Sequence, residues 1–236
     1  MADRVAVLAD LHRLDRWQGE QLQRFLALLA QDPHAPTAVR DPEQAADVHL
    51  ADSLAGLFVV DAALARGLPA LVVDVGSGAG LPGIPVAVAR PSARVGLVEA
   101  TERKCAFLRQ VVEHLELSNV YVRCARVEEL GGEGSRESYG MVLARAVGAL
   151  PVLAEYAAPL LAMQGELLAW KGRRDGAEER AGAGAALEVG LEPVAVWPVT
   201  PYEQSRNRHL HLYRKVRPCP PRFPRRPGVA RRNPLA

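Results

Sequence analysis

The segment LVVDVGSGAGLPG at residues 71–83 constrains the fold of this chain more than any other. An apolar run reaches the acidic residue Asp74 and continues at once into Gly76, Gly78 and Gly80. Glycine has no Cβ atom, so the backbone can turn sharply here and approach a ligand that meets the amides of the following helix. The segment therefore predicts a buried strand, a ligand-binding loop and a helix, which together begin a βαβ unit.

The rest of the pattern predicts an α/β sheet behind a helical N-terminal part. Strand-like apolar runs lie at 71–75, 94–99, 120–124, 140–144, 166–170, 193–197 and 209–215, and helical patterns at 17–30, 43–65, 83–90, 102–116, 148–162 and 176–189. We expect the first five strands to be parallel. The last two are joined without a helix, which predicts an antiparallel pair at one edge. We divide the chain into a helical cap (1–66), an α/β domain (67–216) and a Pro/Arg-rich C-terminal tail (217–236).

Charge is distributed unevenly along the chain. There are 29 Lys and Arg against 27 Asp and Glu, yet no acidic residue follows Glu203, whereas 10 Lys and Arg do. This asymmetry predicts a polyanionic partner. Nucleic acid is favoured over a membrane surface, because the prolines of the tail prevent an amphipathic helix there.

Several classes of protein are disfavoured by what the sequence does not contain. No apolar run approaches the roughly 20 residues of a membrane span, and no secretory signal pattern is visible, so we expect a cytoplasmic protein without a membrane span. Cys105, Cys124 and Cys219 are widely spaced and form no C-x-x-C pair. We therefore expect reduced cysteines and no metal site.

The glycine loop alone is compatible with more than one cofactor. Gly78, Gly80 and Gly83 also satisfy the G-x-G-x-x-G pattern of dinucleotide-binding proteins. Glu99, at the end of the next predicted strand, could accept hydrogen bonds from the ribose hydroxyls of a dinucleotide or of S-adenosylmethionine. An NAD-dependent oxidoreductase and a non-catalytic RNA-binding or ribosome-assembly protein therefore remain as alternatives. The full pattern D-x-G-x-G-x-G resembles that of S-adenosylmethionine-dependent methyltransferases, which we favour.

The regions after the later strands indicate which atom could be methylated. No Asn/Asp-Pro-Pro-aromatic loop follows residues 141–144, and no Pro-Cys pair lies at a strand end, so exocyclic amines and pyrimidine C5 are disfavoured as targets. The N7 atom of guanine already has a free lone pair, and its methylation needs alignment but no general base. We assign no catalytic residue; Arg145, Asp52 and His49 are the candidates near the expected crevice.

The chain resembles the bacterial small-subunit ribosomal RNA guanine-N7 methyltransferases, the RsmG or GidB family. The matching motifs are TAVRDP (37–42), HLADSL (49–54), DVGSGAGLPGIP (74–85), ERKCAFLRQV (102–111), RVEEL (126–130), ARAVGAL (144–150), WKG (170–172) and RHLHLYRKV (208–216) with the tail. The resemblance implies the class I S-adenosylmethionine-dependent methyltransferase fold, a Rossmann-like doubly wound, mostly parallel seven-stranded sheet with an antiparallel edge strand. It also implies S-adenosylmethionine as cofactor and 16S rRNA, or the small ribosomal subunit, as partner of a monomer.

Site residues follow from the loop pattern and the resemblance together. The expected cofactor contacts are Asp74, Gly76, Gly78, Gly80, Leu81, Glu99, Val127, Glu128 and Arg145, with Asp74 near the methionine ammonium group and Glu99 at the ribose. The expected RNA contacts are Arg40, Lys171, Arg173, Arg174, Arg206, Arg208, Arg222, Arg225 and Arg226. The chain departs from the family pattern at Ala35-Pro36 and at Val48. These departures bear on the substrate contacts of the cap and not on the cofactor site.

Overall fold

The computed structural model describes residues 1–33, 35–39, 41–131 and 134–235. Its sheet has seven strands in the order β3-β2-β1-β4-β5-β7-β6. The strands are β1 (Leu71–Val75), β2 (Arg94–Glu99), β3 (Val120–Cys124), β4 (Tyr139–Arg145), β5 (Leu161–Lys171), β6 (Leu191–Val199) and β7 (Arg208–Lys215). Strands β1 to β5 are parallel, and β7 runs antiparallel between β5 and β6. The predicted sheet is confirmed.

The helices follow the predicted order, with differences at their ends. They are α1 (Ala2–Leu11), α2 (Arg16–Gln31), α3 (Pro42–Ala45), a π-helical turn (Ala46–Ala51), α4 (Asp52–Leu54), α5 (Leu57–Ala65), α6 (Gly83–Ala89), α7 (Glu102–His114), α8 (Val127–Leu130), α9 (Leu150–Ala157), α10 (Gly176–Val189) and α11 (Val229–Arg232). The predicted helix at 148–162 ends early because β5 begins at Leu161, which pairs with Tyr139 of β4. An apolar run is compatible with a helix or a strand, and here the pairing with β4 makes these residues a strand.

The single helix predicted over 43–65 is interrupted where it meets the sheet. A Cβ atom at Gly56 would lie only 2.3 Å from Cζ2 of Trp170, so the indole packs directly on the glycine backbone. The indole Nε1 also donates to the carbonyl of Asp52 at 2.8 Å. The break between α4 and α5 therefore admits the Trp170 side chain and satisfies its only polar atom.

The N-terminal helices share one core with the sheet. Leu22 and Phe25 of α2 belong to the same buried cluster as Ile84 of α6. Nε2 of the buried Gln18 donates to the carbonyl of Val88 at 2.9 Å and so satisfies an acceptor near the end of α6. The cap is thus packed firmly against the α/β domain and fixed relative to it.

The helical segment Pro42–Ala65 is long and apolar enough to cross a membrane by length and composition, which its apolar runs did not predict; its 18-residue apolar window has a mean hydropathy of 1.6. In the described part of the chain, 61% of this window is buried inside the protein. Its burial matches that of a core helix in a globular protein.

The C-terminal tail packs on the opposite face of the sheet. Phe223 is 2% exposed and lies in a buried cluster with residues of α9 and α10. Arg136 donates to the carbonyls of Phe223 at 2.7 Å and Cys219 at 2.8 Å. Arg225 donates from Nε to Glu155 at 2.9 Å, and Glu155 is completely buried in α9. These contacts hold the tail along a defined path.

The cysteines differ from the sequence-based expectation. Cys105 of α7 and Cys124 of β3 form a disulfide, with their Cα atoms 5.8 Å apart, whereas Cys219 is a buried free cysteine. The expectation that all three are reduced is therefore wrong for the first pair. The two residues are 19 apart in sequence, and only the packing of α7 against β3 brings them together.

Candidate active site

The glycine loop turns through left-handed backbone conformations between β1 and α6. Gly76, Gly78 and Gly80 have φ angles of +68°, +56° and +89°. A Cβ atom at Gly76 would lie 2.8 Å from Cγ2 of Val147, and one at Gly80 would lie 2.7 Å from Cδ1 of Ile84. Any other residue at these two positions would be strained and would clash as well. Gly78 has open space beside it, and its amide faces Glu99 at 3.2 Å.

Asp74 lies beneath this loop and is completely buried. Its Oδ2 atom accepts from the amide of Gly83 at 3.0 Å, at the start of α6, while Oδ1 has no hydrogen-bond partner among the described residues. Burial raises the pKa of Asp74 to about 7, against the opposing effects of the Gly83 amide and of Arg145. The carboxylate therefore organises the loop and keeps one oxygen free.

The first cavity of the candidate site, about 290 Å³ in volume, opens at the carboxyl ends of β1, β2 and β4. In an open α/β sheet, ligands bind at this end of the strands. The lining residues are Gly76, Val98, Glu99, Ala100, Thr101, Lys104, Ala125, Arg126, Val127, Glu128, Ala146, Val147, Tyr156 and Arg231. Four predicted cofactor contacts, Gly76, Glu99, Val127 and Glu128, thus meet on one wall.

Glu99 is held rigidly at the end of β2. Its Oε1 atom accepts from the amides of Ala100 and Thr101, both at 2.9 Å, and Lys104 lies 3.7 Å from Oε2. The residue is only 7% exposed, and it lines the cavity. A carboxylate fixed in this way can accept hydrogen bonds from a polar ligand without losing side-chain freedom on binding.

Glu128 is the second carboxylate that lines the first cavity. It is 7% exposed, and its Oε1 atom accepts from the amide of Gly228 at 2.8 Å. Burial first, and then the nearby Glu128 carboxylate, raise the pKa of Tyr156, which lines the cavity beside it. The cavity therefore carries two buried carboxylates and a tyrosine that keeps its proton.

A second cavity of about 180 Å³ adjoins the first at Ala146. Its lining residues are Asp52, Arg145, Ala146, Gly148, Leu153, Trp170, Lys171, Gly172 and Arg208. Ala146 has a φ angle of +57°, an uncommon conformation for a residue with a side chain. Such strain is often found at functional sites, here in the residue shared by both cavities.

An ion pair forms the floor between the cap and the second cavity. Arg145 donates from Nη1 to Oδ2 of Asp52 at 2.8 Å and to the carbonyl of Val48 at 3.2 Å. Arg208 lies 3.7 Å from Oδ1 of Asp52, and its own Nε has no hydrogen-bond partner among the described residues. With Lys171, the second cavity has three cationic side chains and one carboxylate. It is thus suited to a ligand rich in acceptor atoms.

His49 lies in the π-helical turn but lines neither cavity. Its Nε2 atom is 2.9 Å from the hydroxyl of Thr37. Burial first, and then the charge of Arg145, lower the pKa of His49 to about 4. His49 is therefore neutral near pH 7, which is compatible with a role in fixing the cap.

The other predicted cofactor contacts do not line the first cavity. Gly80 and Leu81 are among the residues that pack the loop, and, like Asp74, they line neither cavity. Arg145 lines the second cavity and not the first, so the predicted cofactor set is divided between two adjacent sites.

The predicted RNA contacts have different surroundings. Arg40 lies outside the described residues. Arg173 and Arg174 line an open depression near Lys171. Lys171 pairs with Glu178 at 2.6 Å. Arg206, Arg222 and Arg226 are exposed, and Arg222 pairs with Glu188 at 3.1 Å. Arg225 is committed to Glu155, so its role is to anchor the tail.

Sequence reasoning missed part of the first cavity. Ala146, Val147 and Tyr156 follow β4, and the motif ARAVGAL already included the first two. Lys104 lies two residues after the start of α7, where a cation near Glu99 could have been expected from the strand order. Arg231 had no sequence signal, because its position depends on the path of the tail.

Comparisons with known proteins agree on one family. A family model described as rRNA small subunit methyltransferase G matches residues 18–204. The chain is 44% identical over 235 residues to ribosomal RNA small subunit methyltransferase G of Chloroflexus aggregans, covering 94% of this chain and 92% of the relative. It is 41% identical over 244 residues to the protein of the same name from Rubrobacter xylanophilus, covering 94% and 88%.

A solved structure supports the fold at lower identity. The 1,6-didemethyltoxoflavin-N1-methyltransferase of Burkholderia thailandensis, with its bound substrate and S-adenosylhomocysteine, is 16% identical. The TM-score is 0.53, and the match covers 84% of this chain and 88% of that chain. The architecture is thus that of a class I methyltransferase.

The raised pKa of Asp74 gives a prediction for Asp74→Asn in the ligand-free protein. A carboxyl group whose pKa is raised on folding stabilises the protein below pH 4, and this contribution is lost as pH rises to about 7. Relative to Asp74→Asn, the wild-type free energy of unfolding should therefore fall over this window, by at most about 4 kcal/mol. Urea denaturation at several pH values measures the difference, and parallel pH profiles would contradict it.

The ion pair below the second cavity gives a prediction for stability. Arg145→Ala should leave the buried Asp52 carboxylate with only Arg208, 3.7 Å away, and lower the free energy of unfolding by up to about 3 kcal/mol. The same substitution in an Asp52→Asn background should cost much less, because no charge is left behind. A double-mutant cycle by urea denaturation measures the coupling. Additive effects of the two substitutions would show that the pair is not coupled.

Proposed function

Because the chain belongs to the rRNA small subunit methyltransferase G family, we propose that it transfers a methyl group from S-adenosylmethionine to N7 of a guanine in 16S rRNA. The observation that carries this proposal is the pair of adjoining cavities at the carboxyl end of the sheet. The first is lined by two carboxylates and three cationic side chains, and the second by one carboxylate and three cationic side chains. Both cavities reach Ala146, so two ligands can meet there.

The first cavity fits the nucleoside end of S-adenosylmethionine. Glu99 presents a fixed carboxylate to a ribose, whose two hydroxyl groups are donors, and Glu128 offers an acceptor to the adenine amine. Asp74 lies beneath the glycine loop and lines neither cavity, but its Oδ1 atom has no partner among the described residues, so an ammonium group that reaches the loop would supply the donor it lacks. The residues present therefore fit the cofactor, and the glycine loop supplies backbone amides close to its methionine part.

The second cavity fits the acceptor nucleotide. Guanine presents O6 beside N7, and O6 and the phosphate oxygens are acceptors that can be bound while the N7 lone pair stays free to react. Arg145, Lys171 and Arg208 supply the matching donors, while Asp52 holds two of these cations in place. These residues orient the base so that its N7 atom meets the cofactor at the junction of the two cavities.

The reaction needs little proton chemistry from the protein. S-adenosylmethionine supplies a sulfonium methyl group, which the N7 lone pair attacks; the N–C bond forms as the S–C bond breaks, and its electron pair stays on sulfur. No proton leaves the base, so a general base is not required. His49 lines neither cavity, so it is not placed to act as a general base. The chain contributes alignment and exclusion of water.

The partner and the setting follow from the same assignment. We propose that the protein acts as a monomer. We place this action in the bacterial cytoplasm, on 16S rRNA or the small ribosomal subunit. Arg173, Arg174 and the exposed Arg206 extend the cationic surface beyond the second cavity and would contact phosphates.

A labelling experiment tests the reaction. The protein is incubated with methyl-labelled S-adenosylmethionine and small ribosomal subunits that lack the modification, and the digested nucleosides are analysed by mass spectrometry. We expect label in 7-methylguanosine at one site of 16S rRNA. Label in a different nucleoside would overturn the N7 assignment, and transfer of hydride from NADH would favour an oxidoreductase.

A matched pair of variants tests the assignment of the first cavity. Glu99→Gln should weaken binding of S-adenosylhomocysteine by about tenfold or more, because charged acceptors contribute most to hydroxyl recognition. Glu102→Gln makes the same change three residues away, where the side chain is 74% exposed, and should leave the affinity unchanged. Calorimetric titration measures both affinities. If Glu99→Gln and Glu102→Gln bind S-adenosylhomocysteine equally well, the first cavity is not the nucleoside site.

A further inference from the structure

The C-terminal tail continues past its anchors and reaches the first cavity. Phe223 is buried and Arg225 is bound to Glu155, so the tail is fixed to α9 just before Gly228. Beyond this point, α11 lies against α9, and Ala230 is buried with Tyr156. The last turn of the chain is thus placed beside a cavity made otherwise by the α/β domain.

Gly228 makes the first contact of the tail with the cavity wall. Its φ angle is +81°, and its amide donates to Oε1 of Glu128 at 2.8 Å. Among the described residues, no cation lies within ion-pair distance of the Glu128 carboxylate. The amide of Gly228 therefore fixes Oε1 of Glu128, next to Tyr156, whose hydroxyl interacts with both Glu128 and Arg231.

Arg231 makes the second contact. It donates from Nη2 to the carbonyl of Val147 at 3.1 Å, and its side chain lines the first cavity. The nearby Tyr156 and Val147 lie on the same wall. The guanidinium group is planar, so it can lie over a flat ring or donate to ring nitrogens and hydroxyl groups. Arg232, the next residue, is exposed and is not part of the lining.

From these contacts we propose that residues 228–231 form part of the cofactor site, with Arg231 binding the adenosine of S-adenosylmethionine and Gly228 positioning Glu128. This inference rests on the proposed assignment of the first cavity to the cofactor. It gives the basic tail a role in addition to RNA binding. Affinity for free cofactor then depends on the tail even when no RNA is present.

The proposal also predicts mutual stabilisation of tail and cofactor. A ligand that contacts both the α/β domain and residues 228–231 binds more tightly when the tail is docked. By linkage, the bound ligand must favour the docked tail by the same factor by which docking raises the ligand affinity. The tail has cleavage sites for trypsin after Arg225, Arg231 and Arg232, whereas Pro227 prevents cleavage after Arg226. Cofactor should protect at least the bond after Arg231, which lines the cavity.

The main test compares two neighbouring arginines in the full-length chain. Calorimetric titration with S-adenosylhomocysteine should show about a five- to tenfold weaker affinity for Arg231→Ala, the loss expected for one charged contact. Arg232→Ala removes the same charge outside the cavity and should change the affinity less than about twofold. Thermal unfolding without ligand should be alike for the two variants, because neither side chain is buried.

A second pair tests the positioning role of Gly228. A Cβ atom there would meet nothing within 4 Å, so only the backbone conformation is affected by substitution. Gly228→Asn tolerates a positive φ and should retain affinity, whereas Gly228→Val disfavours it and should displace the amide from Glu128. We expect Gly228→Val, but not Gly228→Asn, to bind S-adenosylhomocysteine more weakly than the unchanged protein. When Glu128→Gln is added to both variants, their affinities should become equal.

The outcomes separate this inference from the assignment of the cavity. Equal affinities of Arg231→Ala and Arg232→Ala, together with a loss for Glu99→Gln, would overturn the role of the tail and keep the cavity. Equal affinities for all three variants would overturn both. Loss for Arg231→Ala with protection of the bond after Arg231 by S-adenosylhomocysteine would establish that the tail binds the cofactor.

Discussion

The ion pair between Arg145 and Asp52 links the parts of the molecule on which the site depends. Arg145 ends β4, and Asp52 begins α4 in the cap, so a single 2.8 Å contact joins the cap to the carboxyl edge of the sheet. The carbonyl of the same Asp52 accepts from Trp170 at the end of β5. Because all three residues line the second cavity, the packing of the cap and the geometry of this cavity cannot vary independently.

The features that sequence reasoning predicted are those with local physical causes. The glycine loop needs positive φ angles within a few residues of Asp74, and only glycine adopts them readily. The parallel strands and the antiparallel edge follow from apolar runs and from whether a helix lies between them. Glu99 and Glu128 were found because parallel strands end at the same edge, so acidic residues after two strands meet there.

The features that sequence reasoning did not predict depend on contacts between residues far apart in the chain. The break at Gly56 is caused by Trp170, and the early end of α9 by the pairing of Leu161 with Tyr139. The tail was read as a basic extension because its composition is rich in proline and arginine. Its path is instead set by Arg136 and by the buried Glu155, neither of which has a pattern that identifies a distant partner.

The two cavities differ in how their charged groups are held. In the first cavity, backbone amides hold the Glu99 and Glu128 carboxylates in place. In the second cavity, Arg145 donates to the Asp52 carboxylate, so two charged side chains fix each other. Polar groups held in this way keep their orientation before a ligand arrives, so less side-chain freedom is lost on binding. Ala146, the residue shared by both cavities, lies where these two arrangements meet.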